Sequence, residues 1–587
     1  MGKESMRKIL PLLLGAVIIL SGLGVVTVSC VGTDSEIISV NFPNIEIAQK
    51  EIQIQTQKLD ENYTFIVLTA NQFTTALQPL ISHKNTRGLS TKLVTFDEIY
   101  HGDFFPVQGR DDPEKIKYFI KDAIEQWGTG FVLLVGGSDA FPIRRVSTVY
   151  TFVCDLYYSD VYNATGGFCS WDANGNGKFG EFMVDGVDIH PDVHLGRLPC
   201  VNESQVEICV NKIIKYEVEK SYTKDWFRKL VVCGGDTLAP PLYPKNEMAE
   251  GETINQAVID VMDGFIPEKI WASNGRLTGT NPSGVDVINQ AFNAGCGFVD
   301  MSGDGNTFGW ATHPVNDSNT WIPTPEPGGY YKSNVPNLTN AEKLPVVVIG
   351  ACKTHKFEDD PDCFGWTFLT NPHGGGIATI GTTTYAVDEY GQSPNSYTSK
   401  FELNLFKAYK PEGAITVGEI WSKALNGYIF SGMDEADYLT LEEWVLFGDP
   451  TLAIDAMSQK PLQPQSPLGP TSGAVNTKYT YNTSTSDPEN DDVYYLFDWG
   501  DGTFSGWQGP YPSGEQVSVG HTWASKGSYE IRVRAKDEHG MVSVWSDSLP
   551  ITMPYSFNRP ILQFLELLFQ RFPNAFPILR HFWNGKI

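Results

Sequence analysis

Short apolar runs that end in small or polar residues recur along the chain, separated by stretches with helical period. Residues 131–135 run into Gly136-Gly137-Ser138-Asp139, and residues 230–233 into Gly234-Gly235-Asp236. Residues 298–301 lead to Ser302-Gly303-Asp304-Gly305-Asn306, and residues 345–349 to Gly350-Ala351-Cys352. Runs of this length, rich in Val and Ile, predict strands buried on both faces, as in a parallel sheet. Residues 63–70, 92–96 and 376–381 extend the series. Between them, Asp112 as N-cap, Pro113, and apolar residues at Ile116, Phe119, Ile120, Ala123, Ile124 and Trp127 predict a helix that stops at Gly128. A second helix carries Val206, Val210, Ile213, Ile214 and Val218 on one face. Strand, amphipathic helix and strand in this order predict right-handed parallel crossovers. They form two α/β units, at 63–222 and 224–456.

In an open parallel sheet the carboxyl ends of the strands deliver whatever follows them to one edge, where ligands and catalytic groups collect. Asp304 and Cys352 are thereby predicted to face one cleft. The segment between them is long and rich in Pro, Asn and Gly, which predicts a lid or binding loop. The first unit contains Trp171-Asp172-Ala173-Asn174-Gly175-Asn176-Gly177-Lys178-Phe179-Gly180-Glu181. Oxygen side chains at alternate positions suit a hard cation, so Asp172, Asn174, Asn176, Lys178 through its carbonyl, and Glu181 are candidate calcium ligands. Met183 stands where a helix-flanked calcium loop carries its bidentate Glu. An Asn/Gly turn without an ion is the competing reading.

Past a Pro-rich linker at 458–473 the period changes to two. Residues 496–502, 521–523, 527–529 and 533–537 alternate apolar and polar positions between frequent turn signals, which predicts a small β-sandwich over 474–554. Residues 555–587 form an apolar tail in which Pro573 and Pro577 interrupt any spanning helix. It reads as an interfacial or sorting segment, or as a strand of chain packed on the protein's own surface.

Composition narrows the setting. A chain of 587 residues with 41% hydrophobic and 12% aromatic content supports several packed cores. A formal charge of -26 argues against nucleic acid as a partner, since a polyanion binder needs a basic face. Lys3, Arg7 and Lys8 precede an apolar run over 9–28, so 1–30 is a signal peptide or N-terminal membrane anchor, and export follows in either case. Cys30 ends a box that partly resembles a lipidation signal, with Thr27 where Leu is usual. Residues 31–61 read as a spacer or propeptide remnant. Of nine cysteines, Cys154 with Cys169 and Cys200 with Cys209 are candidate disulfides; the alternative is that several are small core residues.

Several stretches together carry a family resemblance. Asp155-Leu156-Tyr157-Tyr158-Ser159-Asp160, the Trp171 loop, Val193-His194-Leu195-Gly196-Arg197-Leu198-Pro199, Gly234-Gly235-Asp236, the Gly374–Gly381 stretch, the residues before Cys352, and Leu446-Phe447-Gly448-Asp449-Pro450-Thr451-Leu452 occur in an order that resembles the gingipain cysteine peptidases. The resemblance implies a two-part caspase-like α/β fold (62–223 and 224–457) that cleaves protein or peptide substrates, with Cys352 as nucleophile. The 474–554 module, with Trp499-Gly500-Asp501-Gly502, resembles a PKD domain.

The resemblance also exposes a departure. The family carries its catalytic histidine in a Gly-His-Gly turn, and here that turn is Gly303-Asp304-Gly305. A carboxylate beside a thiol raises the thiol pKa where an imidazolium lowers it, and an ordinary ionised Asp has no proton for a leaving amine at pH 7. Since general acid–base help is worth ~10² to 10⁴ in rate, weak or lost activity is expected, with a non-catalytic peptide-binding or adhesion protein as the alternative. His313 is the candidate substitute base, His355 a second. Glu250 or Glu252 would support a histidine in an active relative. Backbone N–H groups at Gly303, Gly305 and Cys352 are the candidate oxyanion donors.

Overall fold

The computed structural model describes residues 62–238, 249–455, 460–488, 490–537 and 542–553, with isolated positions nearer either end. The leader, the 31–61 spacer and the apolar tail lie outside the described residues. Among those described, no helix is long and apolar enough to cross a membrane.

Ten strands form one sheet: β1 (Phe65–Thr69), β2 (Thr91–Thr95), β3 (Phe131–Val135), β4 (His194–Leu198), β5 (Lys229–Gly234), β6 (Ile266–Trp271), β7 (Phe298–Ser302), β8 (Val346–Gly350), β9 (Ala378–Thr382) and β10 (Trp444–Phe447). Their spatial order is β6-β5-β7-β8-β9-β10-β4-β3-β1-β2. All neighbours run parallel except β9 and β10. The two predicted α/β units thus share a sheet. Its join is β10, antiparallel to β9 and parallel to β4 at the single pair Phe447 and Arg197. Every residue of β1, β7, β8, β9 and β10 is buried, as apolar runs without alternation require.

The helices follow their signals with local shifts. Helix α1 (Asp112–Trp127) starts where expected, but the cap is Asp111, whose carboxylate accepts from the Glu114 N–H at 3.0 Å. It ends at Gly128 in the left-handed region, φ 70°. Helix α2 (Glu203–Val218) buries Val206, Cys209, Val210, Ile213, Tyr216 and Glu217. Val218 is exposed instead, because Glu217 turns inward to bind Lys84 at 2.6 Å.

The described cysteines are all free thiols, so neither predicted pairing forms. Cys154, Cys169, Cys200 and Cys209 are buried; Cys209 lies on the inner face of α2 with its thiol 4.0 Å from the Leu369 carbonyl. The core-residue alternative describes them.

The C-terminal sandwich is a separate compact unit. Strands β11 (Lys478–Thr483) and β14 (Val517–Thr522) pair in one sheet. In the other, β13 (Gln508–Tyr511), β12 (Val493–Asp498), β15 (Gly527–Asp537) and β16 (Leu549–Met553) stand in that order. Tyr481, Phe497, Trp499, Trp523, Ile531 and Val533 fill the space between them. The Trp-Gly-Asp-Gly stretch is a turn: Asp498 accepts from the Gly500 N–H at 3.1 Å and Asp501 from the Thr503 N–H at 3.0 Å.

Candidate active site

Strands β7 and β8 lie side by side, with Ser302 in register with Gly350, so their exits meet at one edge. The Gly303 N–H donates to the Gly350 carbonyl at 3.1 Å, which carries the ladder one residue past β7. The chain then enters a three-stranded antiparallel sheet made of Asp304–Asn306, Gly309–Ala311 and Tyr330–Tyr331. The segment expected as a lid therefore has folded structure of its own, with Trp310 and Tyr330 fully buried. Gly305 has no substitute here: a Cβ would lie 2.8 Å from the Ala351 Cβ and 3.0 Å from the Cys352 carbonyl oxygen.

Asp304 and Cys352 line the same cleft of about 360 Å³, together with Glu250, Tyr385, Asp388 and Glu402. Cys352 is half-buried, and its thiol lies 3.6 Å from the Ala386 carbonyl. Burial, then the Glu443 carboxyl, and to a smaller extent Asp304, push the thiol up to about 11. The Asp304 carboxyl is pushed up to about 7 by burial, and its Oδ2 has no hydrogen-bond partner. The expectation of an always ionised Asp304 is corrected here, because a carboxyl removed from water holds its proton to higher pH. The other half of the expectation, a thiol raised rather than lowered, agrees with the structure.

Among the oxyanion candidates, the Gly303 N–H is already committed to Gly350, so that assignment is corrected. Around Cys352, the Ala351 N–H donates to the Ile349 carbonyl at 3.0 Å and the Lys353 N–H to the Thr384 carbonyl at 2.8 Å. The N–H groups of Cys352 and Gly305 are the candidates left for that role. Lys353, next to the thiol, takes φ 58°, a left-handed conformation that a lysine rarely adopts.

Neither histidine lines the cleft. His313 is buried, with its backbone paired to that of Asp236; its Nδ1 lies 2.8 Å from the Thr320 carbonyl and its ring packs on Trp321, centroids 3.9 Å apart. His355 is a core residue between Thr354 and Thr379, at 3.1 and 2.9 Å, and burial pushes it down to about 3. Glu250 does line the cleft, accepting from the N–H groups of Thr237 and Leu238 at 3.3 and 3.2 Å. Glu252 accepts from the Ser273 N–H at 2.8 Å and is not among the lining residues.

Sequence reasoning missed the rest of the wall. Glu402 comes from helix α3 (Tyr397–Tyr409), and its carboxyl group fills the space where a Gly350 side chain would stand. It accepts from Ser302 Oγ at 3.3 Å. Glu402 is held strongly towards its protonated form by burial and by Asp300, while Asp300 is pushed up to about 6 by burial. Asp388, held by Ser396, Ser399 and Ser393, is likewise pushed up to about 6 by burial. The available signal was Thr382-Thr383-Thr384-Tyr385, the polar exit of β9 beside β8.

The candidate calcium loop has its oxygens turned onto its own amides. Asp172 accepts from the N–H groups of Asn176 and Gly177 at 2.9 and 3.3 Å, and from Arg110 at 2.7 Å. Asn174 accepts from the Asn176 N–H at 2.8 Å, Asn176 from the Lys178 N–H at 2.7 Å, and Glu181 from the Asn174 and Asn176 amides at 3.4 and 2.5 Å. The donor types fit a hard cation, and Arg110 stands where part of its charge would act. Among the described residues no group of three His, Cys, Asp or Glu side chains is placed to hold a metal.

Known proteins share this architecture. Gingipain R1 of Porphyromonas gingivalis is 21% identical over 429 residues, covering 72% of this chain and 37% of its own length. Gingipain R2 of P. gingivalis strain W83 is 20% identical over 410 residues, covering 69% and 48%. The chain thus spans less than half the length of these relatives. The crystal structure of the Arg specific cysteine proteinase gingipain R matches with a TM-score of 0.51 and 16% identity, over 84% of this chain and 99% of that one, a likeness of fold. Residues 463–548 match the PKD domain. Residues 58–455, more than half of the chain, match Peptidase family C25, and the chain belongs to that family.

Proposed function

We propose that the cleft hydrolyses peptide bonds in protein or peptide substrates, with the Cys352 sulfur as nucleophile and Asp304 as the proton carrier. The observation that carries this reading is the meeting of the two side chains in one cleft, with the Asp304 carboxyl near neutrality. The thiol stands well above the carboxyl (about 11 against about 7), so passing its proton to Asp304 is uphill. Turnover is accordingly slow. The thiolate attacks the carbonyl carbon, and the electron pair moves to the oxygen, which the Cys352 N–H meets. Collapse expels the amine, which takes the proton from Asp304. Water then attacks the thioester while Asp304 accepts its proton; the thiolate leaves and is reprotonated by Asp304. The lining residues include no Lys or Arg and offer the carboxyl oxygens of Glu250, Asp304, Asp388 and Glu402 as acceptors, which favours a substrate side chain rich in donors, in line with the Arg preference named for gingipain R.

A second reading is favoured by the raised thiol and by the absence of histidine among the lining residues: a cleft that binds peptides without cleaving them. Turnover of a mixed peptide library by the wild type, Cys352→Ala and Asp304→His separates the two. Wild-type cleavage abolished in Cys352→Ala is expected and rules out the binder. Cleavage only in Asp304→His supports the binder, and inertness of all three overturns the pairing of these residues.

Export rests on the apolar run over 9–28, and attachment to a cell surface or membrane on that segment and the 555–587 tail. The mass of the mature N-terminus tests the first, and fractionation with and without the tail the second. Calcium would be held by Asp172, Asn174, Asn176, the Lys178 carbonyl and Glu181, displacing the Asn174 and Asn176 amides from the carboxylate. A melting temperature lowered by chelator and restored by calcium is expected; an unchanged one leaves the loop a plain turn.

A further inference from the structure

The outward face of the four-stranded sheet in the sandwich carries a row of cations held against aromatic rings. Along β15, Arg532, Arg534 and Lys536 alternate with buried Ile531, Val533, Ala535 and Asp537, so strand period places the three cations on one side. Across the ladder they stand opposite Asp498, Leu496 and Tyr494. The Arg532 guanidinium lies 4.7 Å from the Trp545 ring centre, and that of Arg534 lies 4.8 Å from Trp545 and 5.7 Å from Trp507. The Lys536 ammonium lies 4.9 Å from Trp507 and 5.3 Å from Tyr494.

Arg532 has a carboxylate, Asp498 at 2.9 Å. Among the described residues, no ion pair involves Arg534 or Lys536, and Arg534 Nε is buried without a hydrogen-bond acceptor. In a chain of formal charge -26, carboxylates to neutralise them are abundant, yet these two cations face rings instead. Ring contacts restrict the guanidinium plane, and a guanidinium held in this way with a donor still unsatisfied loses little entropy on meeting an oxyanion. The surface is a sheet face, so it has neither the edge that would extend a ladder with a peptide nor a groove for a helix. Trp507 and Trp545 are half-buried, each with a cation against its ring.

We propose that the face built from Arg532, Arg534, Lys536, Trp507 and Trp545 binds an acidic polysaccharide, whose sugar rings lie against the indoles and whose carboxylate or sulfate groups take the Arg534 and Lys536 donors. Calorimetric titration of the full chain with heparin and with polygalacturonate tests this, with dextran as neutral polymer, poly-glutamate as acidic peptide and phosphatidylglycerol vesicles as anionic lipid. Binding to at least one acidic polysaccharide is expected, weakening about tenfold between 50 and 200 mM salt for two released counterions. Arg534→Gln with Lys536→Gln should weaken it at least tenfold at unchanged melting temperature. Asp498→Asn, which frees Arg532, should tighten it severalfold. Failure to bind either polysaccharide, equal binding of dextran, tighter binding of poly-glutamate or vesicles, or indifference to both substitutions would overturn the assignment.

Discussion

Asp155 and Asp300 are both buried carboxyl groups beside strands of one sheet, and their surroundings settle their charge in opposite ways. Asp155 faces Arg197 of β4, which donates to it from Nε and Nη2 at 2.6 and 2.7 Å. The remaining Nη1 donates to the Gly136 carbonyl at 2.9 Å, and the guanidinium lies between Phe141 and Phe357. Asp300 of β7 receives one donor, Asn255 at 2.8 Å, and faces Glu402. Each of that pair has an oxygen that no donor group satisfies, so the two must share a proton. The first site is a fixed ionic joint between strand exits. The second keeps an exchangeable proton behind the wall of the cleft, and the same burial keeps one on Asp304.

The largest effect expected from this contrast is at the joint. Arg197→Met should cost ~3 to 5 kcal/mol in denaturant unfolding, because it strands Asp155 without a cation. Adding Asp155→Leu should recover most of the loss. If the single substitution is nearly neutral, the pair is not the structural element the geometry indicates. Next comes Asp304. Its folded pKa of about 7 against an ordinary 3.8 means that the folded chain binds more protons than the unfolded one between those values. Stability should therefore fall as pH rises from about 4 to about 7 and level off above, by up to ~4 kcal/mol from this group. Asp304→Asn should flatten that slope in melting curves taken from pH 4.5 to 8. The same substitution should lower peptide turnover ~10²-fold or more, since the amide can neither take nor return the proton. A variant with an unaltered slope and unaltered turnover would remove Asp304 from both roles.

The legible part of this molecule is the part its backbone period dictates. Uninterrupted apolar runs marked the central strands, and the polar residues after β7 and β8 placed Asp304 and Cys352 at one edge, because parallel strands leave no other arrangement of their exits. Protonation was not legible. Asp304 is half-buried with one carboxyl oxygen shielded, and it stands in a small sheet folded from 304–331, which read only as a long loop rich in Pro, Asn and Gly. Glu402 was hidden for a related reason: it lies 50 residues after Cys352 on an amphipathic helix, and nothing in helical period tells which carboxylate turns inward. Its mark in the sequence is Gly350, whose missing side chain makes room for it. The histidines misled because type is not position: His355 is three residues from Cys352 and wholly in the core.

The smallest effect, and the finest test of the contrast, is Glu402→Gln. At the Arg197 joint the loss of one partner leaves a bare charge, but Glu402 is already neutral when it shares the proton with Asp300. A Gln in the same place can keep its oxygen towards Ser302 Oγ and turn its amide N–H to Asp300, supplying by covalent bond the donor that the acid pair obtains from solution. Stability at pH 5 should then change by less than ~1 kcal/mol, within the range of a well-replaced buried hydrogen bond. At pH 8, where the wild-type pair is driven towards a second charge, the variant should be the more stable of the two. The quantity to measure is the difference in unfolding midpoint between pH 5 and pH 8, which should shrink in the variant. A loss of several kcal/mol at pH 5 would mean that Glu402 carries its charge there and that the cleft wall is an ionic site after all.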